Sequence, residues 1–458
     1  MALPAEFVQR VLRELGAEEG AALCAALDGV PPVSVRLNGA KCGNAEELLC
    51  ALGAAQPVPW CADGWYLAER PQFTFDPAFH AGAYYVQEAS SQFVGLLAGD
   101  AAGRRILDLC AAPGGKTTLY ASLAGPQGLV VANEIDRRRA QVLADNVRKW
   151  GTGNVAVTCC EPRALGDLEA WFDVVAVDAP CSGEGMFRKD MGAREEWSEN
   201  NVRLCAARQD GILREAWRAL KPGGRLIYST CTFNREEDEG TLERMLAWAG
   251  DEVAEAPAPA TDEVWGIVCG RVGAFRTYRF YPHKACGEGF FAAVACKAPD
   301  AEGRMKTPKA CRTVFGQIDK AAAAELSRWV LRPEQMRFAS VAGTLYGWPA
   351  AQADAVRQLS EVLPVICSGV AMGQVFKGRL RPEPALAFYA ELDRGALPVA
   401  EVSREEALDY LRRGDMRPDA LTEGLNLICT QGRALGFAKR IDRRVNNMYP
   451  SALRILKQ

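Results

Sequence analysis

The chain has 458 residues, 49% hydrophobic and 24% charged, with a formal net charge of −3. That is the composition of a soluble globular protein with room for roughly three domains, and no stretch approaches the roughly 18 apolar residues of a membrane span. Glu6, Arg10, Arg13 and Glu14 interrupt the start, so no signal peptide is expected, and the 16 cysteines are expected as thiols in a reducing cytoplasm. Only His80 and His283 are available, and no Cys-x-x-Cys pair occurs, which argues against a zinc centre and removes the usual general base. The net charge is not that of a generic nucleic-acid binder, although local patches matter more than the sum.

Residues 1–78 open with an amphipathic helix pattern (Phe7, Val8, Val11, Leu12, Leu15), a second helix over Glu18–Leu27 and an extended run from Val33 to Asn38. From 79 to 297, short apolar strands alternate with helices, the pattern of a doubly wound α/β sheet. Strands are expected at Arg105–Leu109, Leu129–Asn133, Val155–Thr158, Asp173–Asp178 and Arg225–Thr230, with a late one at Phe290–Ala295. Helices are expected at Lys116–Leu123, Arg137–Trp150, Glu199–Leu220 and Arg235–Trp248. The charge run Arg235–Glu239 reads as the first turn of the last of these, with its acids at the positive end of the helix dipole. Residues 297–312 form a polar linker, 298–385 a mixed segment, and 386–458 a small β-rich unit. From Gly432 onward Arg433, Lys439, Arg440, Arg443, Arg444, Arg454 and Lys457 oppose only Asp442. With Phe437 and Tyr449 between them, they suggest a surface that tracks a phosphate backbone. No internal repeat or low-complexity tract occurs.

The segment Cys110-Ala111-Ala112-Pro113-Gly114-Gly115-Lys116 follows the first strand of the sheet and leads into a helix. Such a glycine turn admits a ligand to backbone N–H groups. Neither the phosphate-binding P-loop spacing nor Gly-x-Gly-x-x-Gly is met, which turns the reading away from nucleoside triphosphates and dinucleotides. Glu134 closes the second strand, where a carboxylate can accept both ribose hydroxyls of an adenosine, and Glu161 follows the third, within reach of an adenine amine. The combination suits S-adenosylmethionine.

Two further segments, Asp178-Ala179-Pro180-Cys181-Ser182-Gly183 and Ser229-Thr230-Cys231-Thr232-Phe233, each place a cysteine just past a strand. Paired thiols at strand ends suggest covalent catalysis on an electrophilic carbon. Together with Cys110–Thr118, Leu220–Gly224, Tyr85–Ser91 and Gly287–Phe291, these motifs resemble the Sun-type RNA cytosine-5 methyltransferases over about residues 30–297. The resemblance implies a Rossmann-like class I methyltransferase sheet. It implies further that Cys231 adds to carbon 6 of cytosine, that Cys181 releases the product, and that Asp178 binds the base edge. Lys116 is expected to support the base or lower a thiol pKa, the alternative being a solvated lysine in a helix first turn.

The flanking segments make the arrangement similar to the bacterial ribosomal small-subunit methyltransferase F group, with residues 386–458 similar to a PUA-like RNA-binding module. This implies rRNA, most readily 16S, as the substrate, with tRNA as the alternative. Arg36 and Asn38 are expected to contribute RNA contacts from the N-terminal unit. A monomer free of metal and membrane completes the expectation. The competing reading of another class is an RNA-binding assembly factor without turnover. Methylation of DNA is disfavoured because DNA enzymes resemble the chain only at Pro-Cys.

Overall fold

A computed structural model describes residues 2–303, 305–306, 309 and 314–457. Five parallel strands form its centre, in spatial order Leu220–Thr230, Phe172–Asp178, Arg105–Asp108, Leu129–Asn133 and Val155–Thr158. Leu129–Asn133, Val155–Thr158 and Phe172–Asp178 are close to continuous β-branched or aliphatic runs, as expected of strands covered on both faces, whereas Leu220–Thr230 is apolar only from Leu226 on. Leu107, Val131 and Val175 pack beneath the helix Glu199–Ala219 side, while Ile106, Val130 and Val174 pack on the opposite face with Leu119 and Leu143. Antiparallel strands Phe290–Lys297, Phe275–Phe280 and Val268–Val272 extend one edge.

The chain order reverses between Arg105–Asp108 and Phe172–Asp178. Side chains at the C-terminal ends of those two strands therefore face the crevice in which open α/β sheets bind ligands. Asp108 and Asp178 are their last residues.

Helices Gly115–Ala124, Arg137–Trp150 and Glu199–Ala219 lie within one residue of expectation. The helix expected from Arg235 instead begins at Glu239 and runs to Ala249. Glu237 and Asp238, assigned above to the first turn of that helix, precede it and are fully buried. Asp238 accepts hydrogen bonds from Arg279 Nη1 (2.6 Å) and Thr230 Oγ1 (2.6 Å), so a tertiary partner rather than the helix dipole accounts for this acid.

At the N-terminus, helices Ala5–Leu15 and Ala17–Leu27 pack Phe7, Val11, Leu23 and Leu27 against Phe187, Trp197, Phe233 and Tyr281, which flank the two cysteine loops. A four-stranded sheet with Val33–Leu37 near its centre follows. Arg36 and Asn38 do not face solvent. The Arg36 guanidinium is 1% exposed and donates to Gln87 Oε1 (2.8 Å), Thr118 Oγ1 (2.6 Å) and Gly115 O (3.2 Å). Asn38 Nδ2 donates to Gly82 O and Trp150 O. Both residues join the N-terminal sheet to the helices beside the glycine turn, which corrects the expectation that they contact RNA.

Part of the 297–312 linker (304, 307–308 and 310–312) lies outside the described residues. Beyond it, a five-stranded antiparallel sheet spans Phe315 to Pro382, and a four-stranded sheet contains Val399–Glu401, Gly424–Thr430, Arg433–Ile441 and Arg444–Asn447. Strand Val365–Ser368 leaves the middle segment and pairs antiparallel with Val155–Thr158, capping the free edge of the central sheet. In the last unit Phe437 and Tyr449 are core residues, and Arg433 is spent on Cys42 O (2.8 and 3.1 Å). The expected aromatic interleaving of a basic surface is therefore absent there. The exposed cations are Lys439, Arg443, Arg444, Arg454 and Lys457. No helix among the described residues is long and apolar enough to cross a membrane.

Candidate active site

Strand register brings the two cysteine segments together. Asp178 lies opposite Ser229 in the parallel pair, so the loops that follow start side by side. The Cys181 and Cys231 sulfurs end 3.2 Å apart. Backbone contacts keep the loops in step: Ala179 N donates to Ser229 O and Gly185 N to Cys231 O, both at 2.8 Å. The hydrogen bond with Cys231, followed by burial, pushes the Cys181 thiol well above its ordinary pKa. Cys181 is thus held as a neutral thiol in contact with the Cys231 sulfur.

Lys116 reaches the same place from the first turn of the helix after the glycine turn. Its Nζ lies 2.7 Å from Asp178 Oδ2 and 5.3 Å from the Phe290 ring centre. The other Asp178 oxygen accepts from Ser229 Oγ at 2.8 Å. Burial lowers the ammonium's pKa, but Asp178 more than offsets it, and the net shift is upward. Lys116 is a fixed cation at the site rather than a solvated surface lysine.

The glycine turn packs against helix Arg137–Trp150. Ala111 N donates to Asn133 O, Arg139 donates to Ala112 O, and Asn146 Nδ2 donates to Pro113 O. Gly114 has φ +111°, and a Cβ there would stand 3.0 Å from Leu143 Cδ1, so both conformation and space call for glycine. Glu134 is buried at the end of its strand, with Oε1 accepting from Asp136 N and Oε2 3.3 Å from Arg139. Glu161 is exposed; its backbone carbonyl accepts from Ala164 N at 3.0 Å, and its side chain makes no capping hydrogen bond to the short helix that follows. The structure therefore gathers Cys231, Cys181, Asp178 and Lys116 at one point, with Cys110–Gly115 and Glu134 beside them and Glu161 at the margin.

Asp108 escaped the sequence reading. It is buried, accepts from Thr117 Oγ1 at 2.6 Å, and burial raises its carboxyl pKa to about 7. The signal was present, since an acid closes the strand immediately before a glycine turn. Asp108, Asp178 and Glu134 all add to the effect of burial in raising the Cys110 thiol well above its ordinary range. Three carboxylates around one turn suit a ligand carrying positive charge, and the sulfonium and ammonium of S-adenosylmethionine fit that donor set. Glu184 and Glu237, also missed, lie behind the cysteines. Burial raises the Glu237 pKa.

A family model described as 16S rRNA methyltransferase RsmB/F matches residues 96–295. The models for the N-terminal domain of 16S rRNA methyltransferase RsmF and for the RsmF PUA domain match residues 3–89 and 398–455. The chain is 32% identical over 424 residues to Ribosomal RNA small subunit methyltransferase F of Erwinia tasmaniensis, covering 87% of this chain and 85% of that one. The chain belongs to the RsmF family. A second RsmF-family relative, from Escherichia coli O81 (strain ED1a), is 32% identical over 446 residues, covering 92% and 90% of the two chains. Among solved structures, a methyltransferase homologue from Pyrococcus horikoshii superposes with a TM-score of 0.53 at 27% identity, covering 63% of this RsmF-family chain and 93% of that one. The Rossmann-like methyltransferase sheet with a C-terminal PUA domain is thus the architecture of this chain.

Proposed function

We propose that this protein transfers a methyl group from S-adenosylmethionine to carbon 5 of a cytosine in 16S rRNA through a covalent cysteine adduct. The observation that carries this reading is the 3.2 Å approach of Cys181 and Cys231 at the ends of adjacent parallel strands, beside the Lys116–Asp178 pair. When bound, the cofactor supplies an electrophilic methyl group on a sulfonium. Cys110–Gly115 would form its cradle, Glu134 would accept from the ribose, Glu161 would serve the adenine amine, and Asp178 would border both cofactor and base.

Carbon 5 of cytosine is too weak a nucleophile to attack that methyl group unaided. Addition of the Cys231 thiolate to carbon 6 breaks the 5,6 double bond and places its electron pair on carbon 5. Asp178 accepts from the amino group and from N3 once N3 has taken a proton from solvent, which stabilises the protonated base as the pair moves, and Lys116 holds Asp178 in place. After transfer, solvent water takes the carbon 5 proton, the freed C–H pair re-forms the 5,6 double bond, and the Cys231–carbon 6 bond breaks with its pair returning to sulfur as thiolate. Cys181, 3.2 Å from the departing sulfur, assists that release.

Residues 1–78 and 386–458 serve as RNA-contacting units around the methyltransferase domain at 79–297, with 298–385 a middle domain between that core and the PUA-like unit. The protein acts as a cytoplasmic monomer, and its cysteines and acids supply the chemistry without a metal. Cys231→Ala is expected to abolish methylation, and Cys181→Ala to accumulate an RNA–protein adduct that survives denaturing electrophoresis. Full activity of Cys231→Ala would overturn the mechanism. Bisulfite sequencing of rRNA and tRNA from a deletion strain identifies the substrate: loss of a methylated cytosine from tRNA alone would overturn the 16S assignment.

A further inference from the structure

The two cysteine loops are tied to each other by two buried carboxylates that take no part in the chemistry above. Glu184 lies on the Cys181 loop, between Gly183 and Gly185, yet its hydrogen bonds run largely to the Cys231 loop. Its Oε2 accepts from Thr232 Oγ1 (2.7 Å), Phe233 N (2.8 Å) and Asn234 N (3.0 Å), and its Oε1 from Asn234 Nδ2 (3.0 Å). Trp197 Nε1 supplies a fifth bond, at 3.0 Å to Oε1. Glu237 lies on the Cys231 loop and reaches back. Its carboxylate accepts from Ser182 N, the residue after Cys181, at 3.0 Å, and from Gln209 Nε2 at 2.9 Å. Asn234 Nδ2 also donates to Glu237 Oε1 at 2.8 Å, so one amide bridges the two acids.

Each carboxylate therefore belongs to one loop and grips the residues just downstream of the other loop's cysteine. Three donors converge on a single oxygen of Glu184, an arrangement that suits a carboxylate. An amide in its place turns an N–H group toward a donor or leaves one unpaired. Burying two acids costs free energy that an apolar contact between the loops would not. The glycines on either side of Glu184, Gly183 with φ +78°, leave that loop without local stiffness of its own.

We infer that Glu184 and Glu237 are positioning residues: a reciprocal clasp that sets where the Cys231 sulfur stands relative to Cys181 and to the incoming base. The inference rests on the cysteine mechanism proposed above and assigns its geometry to residues that touch neither substrate nor cofactor. An attacking atom displaced by about 1 Å loses on the order of 100-fold in rate, and that is the size of effect the clasp guards against.

The test uses the full chain with Glu184→Gln and Glu237→Gln, assayed on a 16S transcript in single and multiple turnover. The expected result is a fall in kcat on the order of 100-fold, with KM for RNA and for cofactor held within about three-fold. In a Cys181→Ala background the same variants slow the appearance of the denaturant-resistant adduct by the same factor. The pH profile of Cys231 alkylation, read on its peptide by mass spectrometry, also departs from the parent profile. Thr232→Val removes a single donor to Glu184 and keeps the test open if either Gln variant fails to fold; it is expected to lose about ten-fold in kcat. A parental kcat in the folded variants would overturn the clasp, as would a loss that follows only the folded fraction. Retained activity in Cys231→Ala would instead overturn the mechanism on which the clasp rests.

Discussion

Replacing Arg36 by methionine separates two readings of that residue. On a surface, Arg36 would contact phosphate, and its loss would raise KM for RNA without touching stability. In the structure it is 1% exposed and donates three hydrogen bonds, at 2.6, 2.8 and 3.2 Å, across the joint between the N-terminal sheet and the helix after the glycine turn. Hydrogen bonds from a charged donor contribute about 1.5–3 kcal/mol each, a gross loss of roughly 4–9 kcal/mol. Burial offsets part of this: it draws the guanidinium pKa down to about 10, a cost of about 3 kcal/mol. Thr118 Oγ1 keeps its bond to Gly115 O, but Gln87 Oε1 is left buried without its donor. The net loss is about 3 kcal/mol, which at roughly 2–4 °C per kcal/mol lowers the melting temperature by about 6–12 °C. Thermal melting of parent and Arg36→Met, paired with KM for RNA per folded molecule, is the assay. A melting temperature within about 1 °C of the parent together with a raised KM for RNA would refute the reasoning.

Three other outcomes are expected. Asp108 has a folded pKa of about 7 and an unfolded one near 4, so between those values the folded protein holds a proton that the unfolded chain has released. Stability then falls as pH rises through that window, by at most about 1.4 kcal/mol per unit, and Asp108→Asn should flatten this slope in denaturant titrations from pH 5 to 8; an unchanged slope contradicts the assignment. At Gly185 an added Cβ would stand 2.4 Å from Gly289 O and 3.0 Å from Cys231 O, so Gly185→Ala must push the cysteine loops apart. It should cut kcat by about 100-fold or more in a stopped-flow or quench assay, and normal turnover would show that the loops tolerate displacement. Charge reversal of the exposed Lys439, Arg443 and Arg444 should raise KM for RNA and flatten its salt dependence by about 0.7 in log–log slope per lost phosphate contact. A salt slope equal to the parent's would remove this surface from the RNA path.

The parts legible from sequence share one property: they depend on neighbours along the chain. Alternation of β-branched runs with helical stretches placed the five parallel strands, and the glycines after Leu107-Asp108 marked the turn between strand and helix, because turn and strand chemistry act over a few residues. Asp178, Cys181 and Cys231 were legible through their motifs. Their meeting required the parallel pairing of Asp178 with Ser229, which no local pattern states.

Burial, by contrast, is a property of whatever packs on top, and only the tertiary structure decided it. Phe437 and Tyr449 read as surface aromatics among arginines and are core residues. Glu237 and Asp238 read as acids of a helix first turn placed for its dipole, yet one holds the Cys181 loop and the other pairs with Arg279. Val365–Ser368, too short to announce its partner, closes the edge of a sheet some two hundred residues away along the chain. The sequence by itself determined which segments are strands, the glycine turn and the two thiols. The fold decided which charges are walls, which are clasps and which meet solvent, because desolvation is set by atoms distant in sequence and close in space.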